Sequence, residues 1–255
     1  MRWREKIKDA GLAMILPVLL VMLWIYAAEK EWCPPQLLVP PQQVMATFID
    51  LFKTGELTGH LQASFLRVVE GFAAGAAAGL SLGVLLGLSR RADTYMGPLF
   101  HGMRQVPIMG WVPIFMVWFG IGEVFKIVFI ALGVFYILTI NTYEGIRGVP
   151  QVYVEVARVF EYSRCRLLWR VILPAASPSI FTGIRFALGM AWMSVVGAEL
   201  IASETGIGYM MTWGRQLFQI DVVMVGILVI GFVGLVMDAG MGLLEKYVLR
   251  WRRVY

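Results

Sequence analysis

Long uncharged runs alternate with short polar islands along this chain. A helix that crosses about 30 Å of hydrocarbon needs about 20 apolar residues, and six runs approach that length. They are 11–28, then 71–89 extended back to about residue 63, then 105–122 entered from about residue 94, followed by 127–143, 177–200 and 222–244. The pattern predicts an all-α integral membrane protein with six transmembrane helices.

The polar islands are unequal in charge. Those at 1–10, 90–104, 147–170 and 246–255 hold 16 of the 22 Lys and Arg residues. Basic loops stay in the cytoplasm, so the expected topology has both termini inside and 147–170 facing the cytoplasm. Arg2, Arg4, Lys6 and Lys8 before an apolar run also resemble a secretion signal. However, Tyr26-Ala27-Ala28 is a poor cleavage site, and an uncleaved first span is expected. The organisation read from this pattern is 1–62 for the tail, first span and an outer segment, 63–245 for the core, and 246–255 for a basic cytoplasmic tail.

Composition agrees with the pattern. The chain is 59% hydrophobic and 15% charged, against about 25% charge in a soluble domain. The lipid bilayer, not nucleic acid, is the expected partner of its net positive charge. Cys33 and Cys165 fall on opposite sides of the membrane in this topology, too far apart to pair.

The most informative island is 150–174. Val152, Tyr153, Val156, Val159 and Phe160 form an apolar stripe at helical spacing, with Pro150 where a helix begins. Ser163 is placed to cap a second helix whose apolar face is Leu167, Leu168, Val171 and Ile172. Two short amphipathic helices joined at an angle form a docking element rather than a span. On the other side, Val44, Met45, Phe48, Ile49 and Phe52 share one helical face after Pro40-Pro41. That segment either lies in the membrane interface or packs on the bundle. The loop 201–221, with Gly206, Gly208, Met210, Met211 and Trp213, suits an outer gate, a protein-docking surface or a plain connection.

Chemistry-bearing patterns are sparse. Gly71, Gly75, Gly79, Gly83 and Gly87 recur every fourth residue and make a smooth stripe for close helix packing. Gly79-Leu80-Ser81-Leu82-Gly83 matches the serine-hydrolase elbow formally, but a nucleophile needs a strained turn or a nearby histidine, and His60 and His101 lie far from Ser81 in this topology. An intramembrane hydrolase is therefore a distant alternative, and a purely structural membrane protein a further one. No phosphate-binding loop or metal-ligand spacing occurs, so no catalytic, cofactor or metal residue is assigned. Arg67, Glu70, Lys126, Glu199 and Asp238 lie in or at the edges of spans, where charge defaults to a functional hypothesis or to pairing. Arg67, Trp118, Asn141, Trp192, Ser194 and Glu199 are the candidate lining of a substrate path.

Glu155, Ala157, Val171, Leu173 and Pro174, in the order Glu-x-Ala, a turn, then aliphatic-x-Leu-Pro, resemble the cytoplasmic coupling loop of binding-protein-dependent ABC permeases. Glu161 stands where that family has glycine, and Val156 where it has alanine. The resemblance extends through Pro40-Pro41-Gln42-Gln43-Val44, Trp118-Phe119-Gly120-Ile121-Gly122-Glu123, Gly183-Ile184-Arg185, Ala198-Glu199 and Gly206-Ile207-Gly208. These are similar to the nitrate/sulfonate/taurine importers, and Arg185-Phe186-Ala187-Leu188-Gly189 to the aliphatic-sulfonate members. The resemblance implies a type I importer permease in the bacterial inner membrane, with a coupling loop at about 149–174. Its implied ATPase contact comprises Glu155, Val156, Ala157, Val159, Phe160, Glu161, Leu173 and Pro174. It further implies two separate ATPase subunits that use ATP and Mg, a second permease copy, and a periplasmic or lipid-anchored binding protein. The implied cargo is a small anion, an organosulfonate first and nitrate, taurine or another small organic solute as alternatives.

Overall fold

The computed structural model describes residues 2–32, 34 and 38–250. The described chain runs α1 (Arg2–Glu29), α2 (Pro41–Lys53), α3 (Glu56–Leu88), α4 (Arg90–Met103), a 3-10 turn (Ile108–Trp111), α5 (Val112–Phe119), α6 (Glu123–Arg147), α7 (Gln151–Val159), α8 (Arg164–Leu167), a π turn (Leu168–Ile172), α9 (Leu173–Ile201), α10 (Ile207–Gln216) and α11 (Ile220–Val248). Helices at 56–88, 123–147, 164–201 and 220–248 are each long and apolar enough to cross a membrane, and shorter apolar helices lie at 15–29 and 108–119. Cys33 and residues 251–255 of the basic tail, Arg252 and Arg253 among them, lie outside the described residues.

Two compact units emerge. One joins Met1–His60 to Met210–Val229, and the other joins Leu61–Tyr209 to Ile230–Tyr255. In the first, Trp24 Nε1 donates to the Val39 carbonyl at 3.0 Å. Thr47 Oγ1 donates to Asp221 at 2.6 Å, tying α2 to the start of α11. One face of α2 packs inward and the other is left open. Val44 and Leu51 are buried, while Met45, Phe48, Ile49 and Phe52 stay exposed.

The second unit is built around α6, because glycines let two helices approach it closely. Methyl groups added to Gly71, Gly79, Gly83 and Gly87 of α3 would stand 2.6, 3.1, 2.6 and 2.9 Å from Cβ of Ile130, Leu138, Thr142 and Ile146. The register rises on both helices together, so α3 and α6 run parallel. Carbonyls of Ile127, Ala131, Phe135 and Thr139 face the stripe, a geometry that brings backbone Cα–H groups against oxygens. Thr139 Oγ1 donates to the Gly79 carbonyl at 3.2 Å. On another side of α6 the register reverses: Gly145 meets Ser179, Gly183 meets Asn141, and Gly133 meets Met190 and Ser194. Thus α9 is antiparallel, and Val68, Ile130, Val134, Leu138, Ala187, Ala191, Trp192 and Val195 form the core between the three helices.

The stripe yields a contrast that stability measurements can read. In Gly75→Ala the methyl meets the Ala131 carbonyl and comes within 2.7 Å of Val134 Cβ, so backbone must move at a cost of about 1–3 kcal/mol. Gly189→Ala, where nothing lies within 4 Å, gains about 0.5–1 kcal/mol from helix entropy. Thermal unfolding in detergent should therefore lower Tm for the first variant and not the second. Equal behaviour would contradict the packing described.

The third predicted span is not one helix. It is α4, a turn at 104–107, the 3-10 turn and α5. Phe100 packs its ring on Phe135 and Tyr136 at 6.0 and 5.9 Å, and a methyl on Gly133 would lie 3.0 Å from Ile108. The turn is thus flanked on both sides by residues level with the middle of α6. Arg104, read from sequence as part of a cytoplasmic island, instead sits at this mid-depth break. Pro107 lacks an N–H, and the residue before a proline is disfavoured in helix, which ends α4 there. The docking element also differs from its predicted form. Its second helix is not a separate short piece, because α8, the π turn and α9 form one helical run over 164–201. The Leu173 N–H bonds the Leu168 carbonyl, an i to i−5 step that opens the turn just where Pro174 lacks an N–H.

Candidate functional site

The segment 148–172 closes one end of the α6–α9 pair. Pro150 precedes α7 with an extended backbone, and Ser163 Oγ accepts from the Arg166 N–H at 3.4 Å, the predicted cap. Between them lies a tight turn. Glu161 N–H donates to the Arg158 carbonyl at 2.9 Å and Tyr162 N–H to the Ala157 carbonyl at 3.0 Å. This is the paired Schellman closure, which needs a left-handed residue next after the cap. Glu161 supplies it at φ 53°. The left-handed geometry that glycine would provide is therefore kept, at a cost of about 1–2 kcal/mol for a side chain there. Glu161→Gly should raise stability by about 0.5–1 kcal/mol and Glu161→Val lower it, checked by Tm and by hydrogen exchange at Tyr162.

What this segment presents is apolar. Val152, Tyr153, Val156, Val159 and Phe160 are all exposed, Val159 by 81% and Phe160 by 71%, as is Trp169. Among the predicted contact residues Ala157 alone is buried, Leu173 is half-buried, and Glu155, Glu161 and Pro174 are exposed. Arg158, Arg164, Arg166 and Arg170 are exposed in the same segment. Apolar side chains exposed together in this way need a partner or lipid against them. Nearby, Arg147 bonds Asp93 at 2.9 Å and Tyr143 donates to Asp93 at 3.2 Å, tying α4 to α6 at this end.

The opposite end of the same helices carries buried charge. Arg67 donates from Nε and Nη2 to Glu123 at 2.7 and 2.8 Å. Its Nη1 reaches Glu199 at 2.7 Å and the Thr205 carbonyl at 2.8 Å, and Nη2 also reaches Thr205 Oγ1 at 2.7 Å. Lys126 pairs with Glu123 at 2.7 Å and with Ser203 at 3.0 Å. Glu199, 1% exposed, also accepts from Ser64 Oγ and from the Gly208 N–H at 3.0 Å. Two cations and two anions cancel, and the buried ones are hydrogen-bonded, as burial of charge requires. Gly206, at φ 111°, is needed because any side chain there would run into the Glu199 carboxylate. The network ties α3, α6 and α9 to the segment 203–208.

The predicted path residues do not converge. Arg67 and Glu199 are consumed by this network. Trp192 is buried and donates to the Ile230 carbonyl at 3.0 Å, and Ser194 is buried against α6. Asn141 donates to the Ile137 carbonyl and packs on Gly183 toward the other end, and Trp118 is exposed on α5. Sequence reading missed Glu123, Ser64, Ser203 and Thr205 as members of the network. It also missed the Arg185–Asp238 pair, bidentate at 2.6 Å, with Glu245 at 3.8 Å. Adjoining cavities of about 760 and 360 Å³ share that pair. Ser81 lies within regular α3 and donates to the Ala77 carbonyl at 2.7 Å, so no strained elbow surrounds it.

Comparison with known proteins decides what this bundle is. Residues 75–250 match the family described as binding-protein-dependent transport system inner membrane component. The chain is an ABC-transporter permease of that family. The permease is 42% identical over 242 residues to a protein of Bacillus subtilis named as an aliphatic sulfonates transport permease, covering 95% of this chain and 88% of the relative. It is 32% identical over 257 residues to a taurine transport system permease of Escherichia coli, with 98% and 94% covered. A solved methionine ABC transporter in an inward-facing conformation has the same fold at a TM-score of 0.64 and 16% identity, covering 75% of the permease and 95% of that chain.

Proposed function

We propose that this permease forms the membrane path of an ATP-driven importer for a small organic anion, an aliphatic sulfonate. Two copies of the chain make the path in the bacterial inner membrane, with both termini in the cytoplasm. Each copy presents the α7 face to one of two separate ATPase subunits, which bind and hydrolyse ATP with Mg. A periplasmic or lipid-anchored binding protein delivers cargo at the other end. The permease does no covalent chemistry; closure of the ATPase pair pushes on 151–172 and turns the cavity outward, and reopening releases cargo inward.

The substrate reading is supported by near full-length similarity to permeases named for aliphatic sulfonates, at 42% identity in Bacillus subtilis and 39% in Escherichia coli. A bicarbonate permease matches at 38% over 74% of this chain. The docking reading is supported by the exposed apolar stripe on α7. A growth test separates the substrates. Cells lacking the gene should fail to grow on ethanesulfonate as sole sulfur source, grow normally on sulfate, and recover when the gene is restored. Normal growth of the deletion strain on ethanesulfonate and other alkanesulfonates would refute the sulfonate reading.

A further inference from the structure

Arg67 on α3, Arg185 on α9 and Arg104 at the break after α4 all lie away from the cytoplasmic segment 148–172, and their surroundings differ. Arg67 has Nε and both terminal nitrogens hydrogen-bonded to Glu123, Glu199 and Thr205. Arg185 is held by both oxygens of Asp238. Arg104 is exposed, and among the described residues no carboxylate pairs with it. It also lies deepest, at the break between α4 and the 3-10 turn, bracketed by Phe100 and Ile108 level with the centre of α6.

We propose that Arg104 is a binding residue for the anionic head group of the cargo, half-way along the transport path. An ionised group at this depth is expensive against lipid and is found facing water, a counter-charge or cargo. Non-helical backbone at membrane depth is likewise tolerated where it lines a cavity or is covered by protein, and broken spans recur at transporter binding sites. Arg104 and exposed Gln105 supply donors at such a break, and a guanidinium presents paired N–H groups that match a sulfonate or carboxylate. Trp111 Nε1 and the Tyr136 hydroxyl are buried without a hydrogen-bond partner among the described residues. Buried unpaired donors are rare and call for an acceptor. A structural alternative is that Arg104 only complements the carbonyl end of α4; it predicts no dependence on cargo.

The inference rests on the import reading above, and one experiment separates the two. Arg104→Cys and Gln105→Cys are introduced singly with Cys33 and Cys165 replaced by serine. The transporter, assembled with its ATPase in proteoliposomes, is treated with methanethiosulfonate ethylsulfonate, an anionic thiol reagent that does not cross lipid. Both positions should label. Ethanesulfonate at ten times the half-saturating concentration measured for that same variant should slow labelling about tenfold by occupancy alone. Arg104→Ala should raise KM for ethanesulfonate uptake about 10- to 100-fold, the loss of one charge-assisted contact, while the ATPase still co-purifies. Protection by nitrate or bicarbonate but not by any alkanesulfonate would keep Arg104 as the anion site and remove the sulfonate reading. No labelling at either position, or labelling that ethanesulfonate, taurine, nitrate and bicarbonate all leave unchanged, would overturn the proposal.

Discussion

Glu199→Ala should be the most destabilising single change in the second unit, costing about 3–5 kcal/mol. The carboxylate is buried and accepts from Arg67, Ser64 and the Gly208 N–H. Its removal leaves the Arg67 guanidinium with Glu123 alone as counter-charge, and strips the buried Gly208 N–H of its acceptor. For a chain of this size that loss is a Tm decrease of roughly 6–20 °C, readable by thermal unfolding in detergent. Glu199→Gln should cost less, because the amide oxygen still accepts. The double variant Arg67→Met with Glu199→Leu should recover much of the loss, since replacing a buried ion pair by apolar side chains is often neutral. A Glu199→Ala protein as stable as the wild type would show that the network does not hold these helices.

The second large effect is on coupling. Val156 on α7 and Phe160 at its C-terminal cap are exposed, 50% and 71% accessible. Burying each against a partner contributes about 1.5–3 kcal/mol, so Val156→Asp with Phe160→Asp should weaken ATPase binding by about 3–6 kcal/mol, roughly 10²- to 10⁴-fold in Kd. Exposed surface residues contribute little to folding, so Tm should hardly move. That split between lost assembly and retained stability separates a docking face from a packing face. A variant that both assembles and transports normally would refute the role given to α7.

How much of this was legible in the sequence depends on the range of the interaction. Uncharged runs located the long helices because hydropathy is local, and Ser163 announced its cap within three residues. Spacing by four announced the glycine stripe, although not that α6 would run parallel to it. The break at 104–107 was hidden inside an apolar run. Of its two signals, Arg104 was assigned to a cytoplasmic island and Pro107 fell unremarked inside the predicted span. The buried network was invisible for another reason. Arg67 meets partners at Glu123, Glu199 and Thr205, far apart in the chain, and each charge taken alone had a cheaper reading at a helix end. Glu161 shows the converse. Its side chain argued against the family's turn, yet the Schellman bonds of Glu161 and Tyr162 to Arg158 and Ala157 outweigh the left-handed cost.

The most direct test of the account is to purify the tagged permease from its native membrane in mild detergent and count the chains that accompany it. Two copies of this chain should appear with two copies of an ATPase, and the ATPase alone should be lost in the Val156→Asp, Phe160→Asp variant. Recovery of the permease without any ATPase, under conditions that preserve other such transporters, would contradict it.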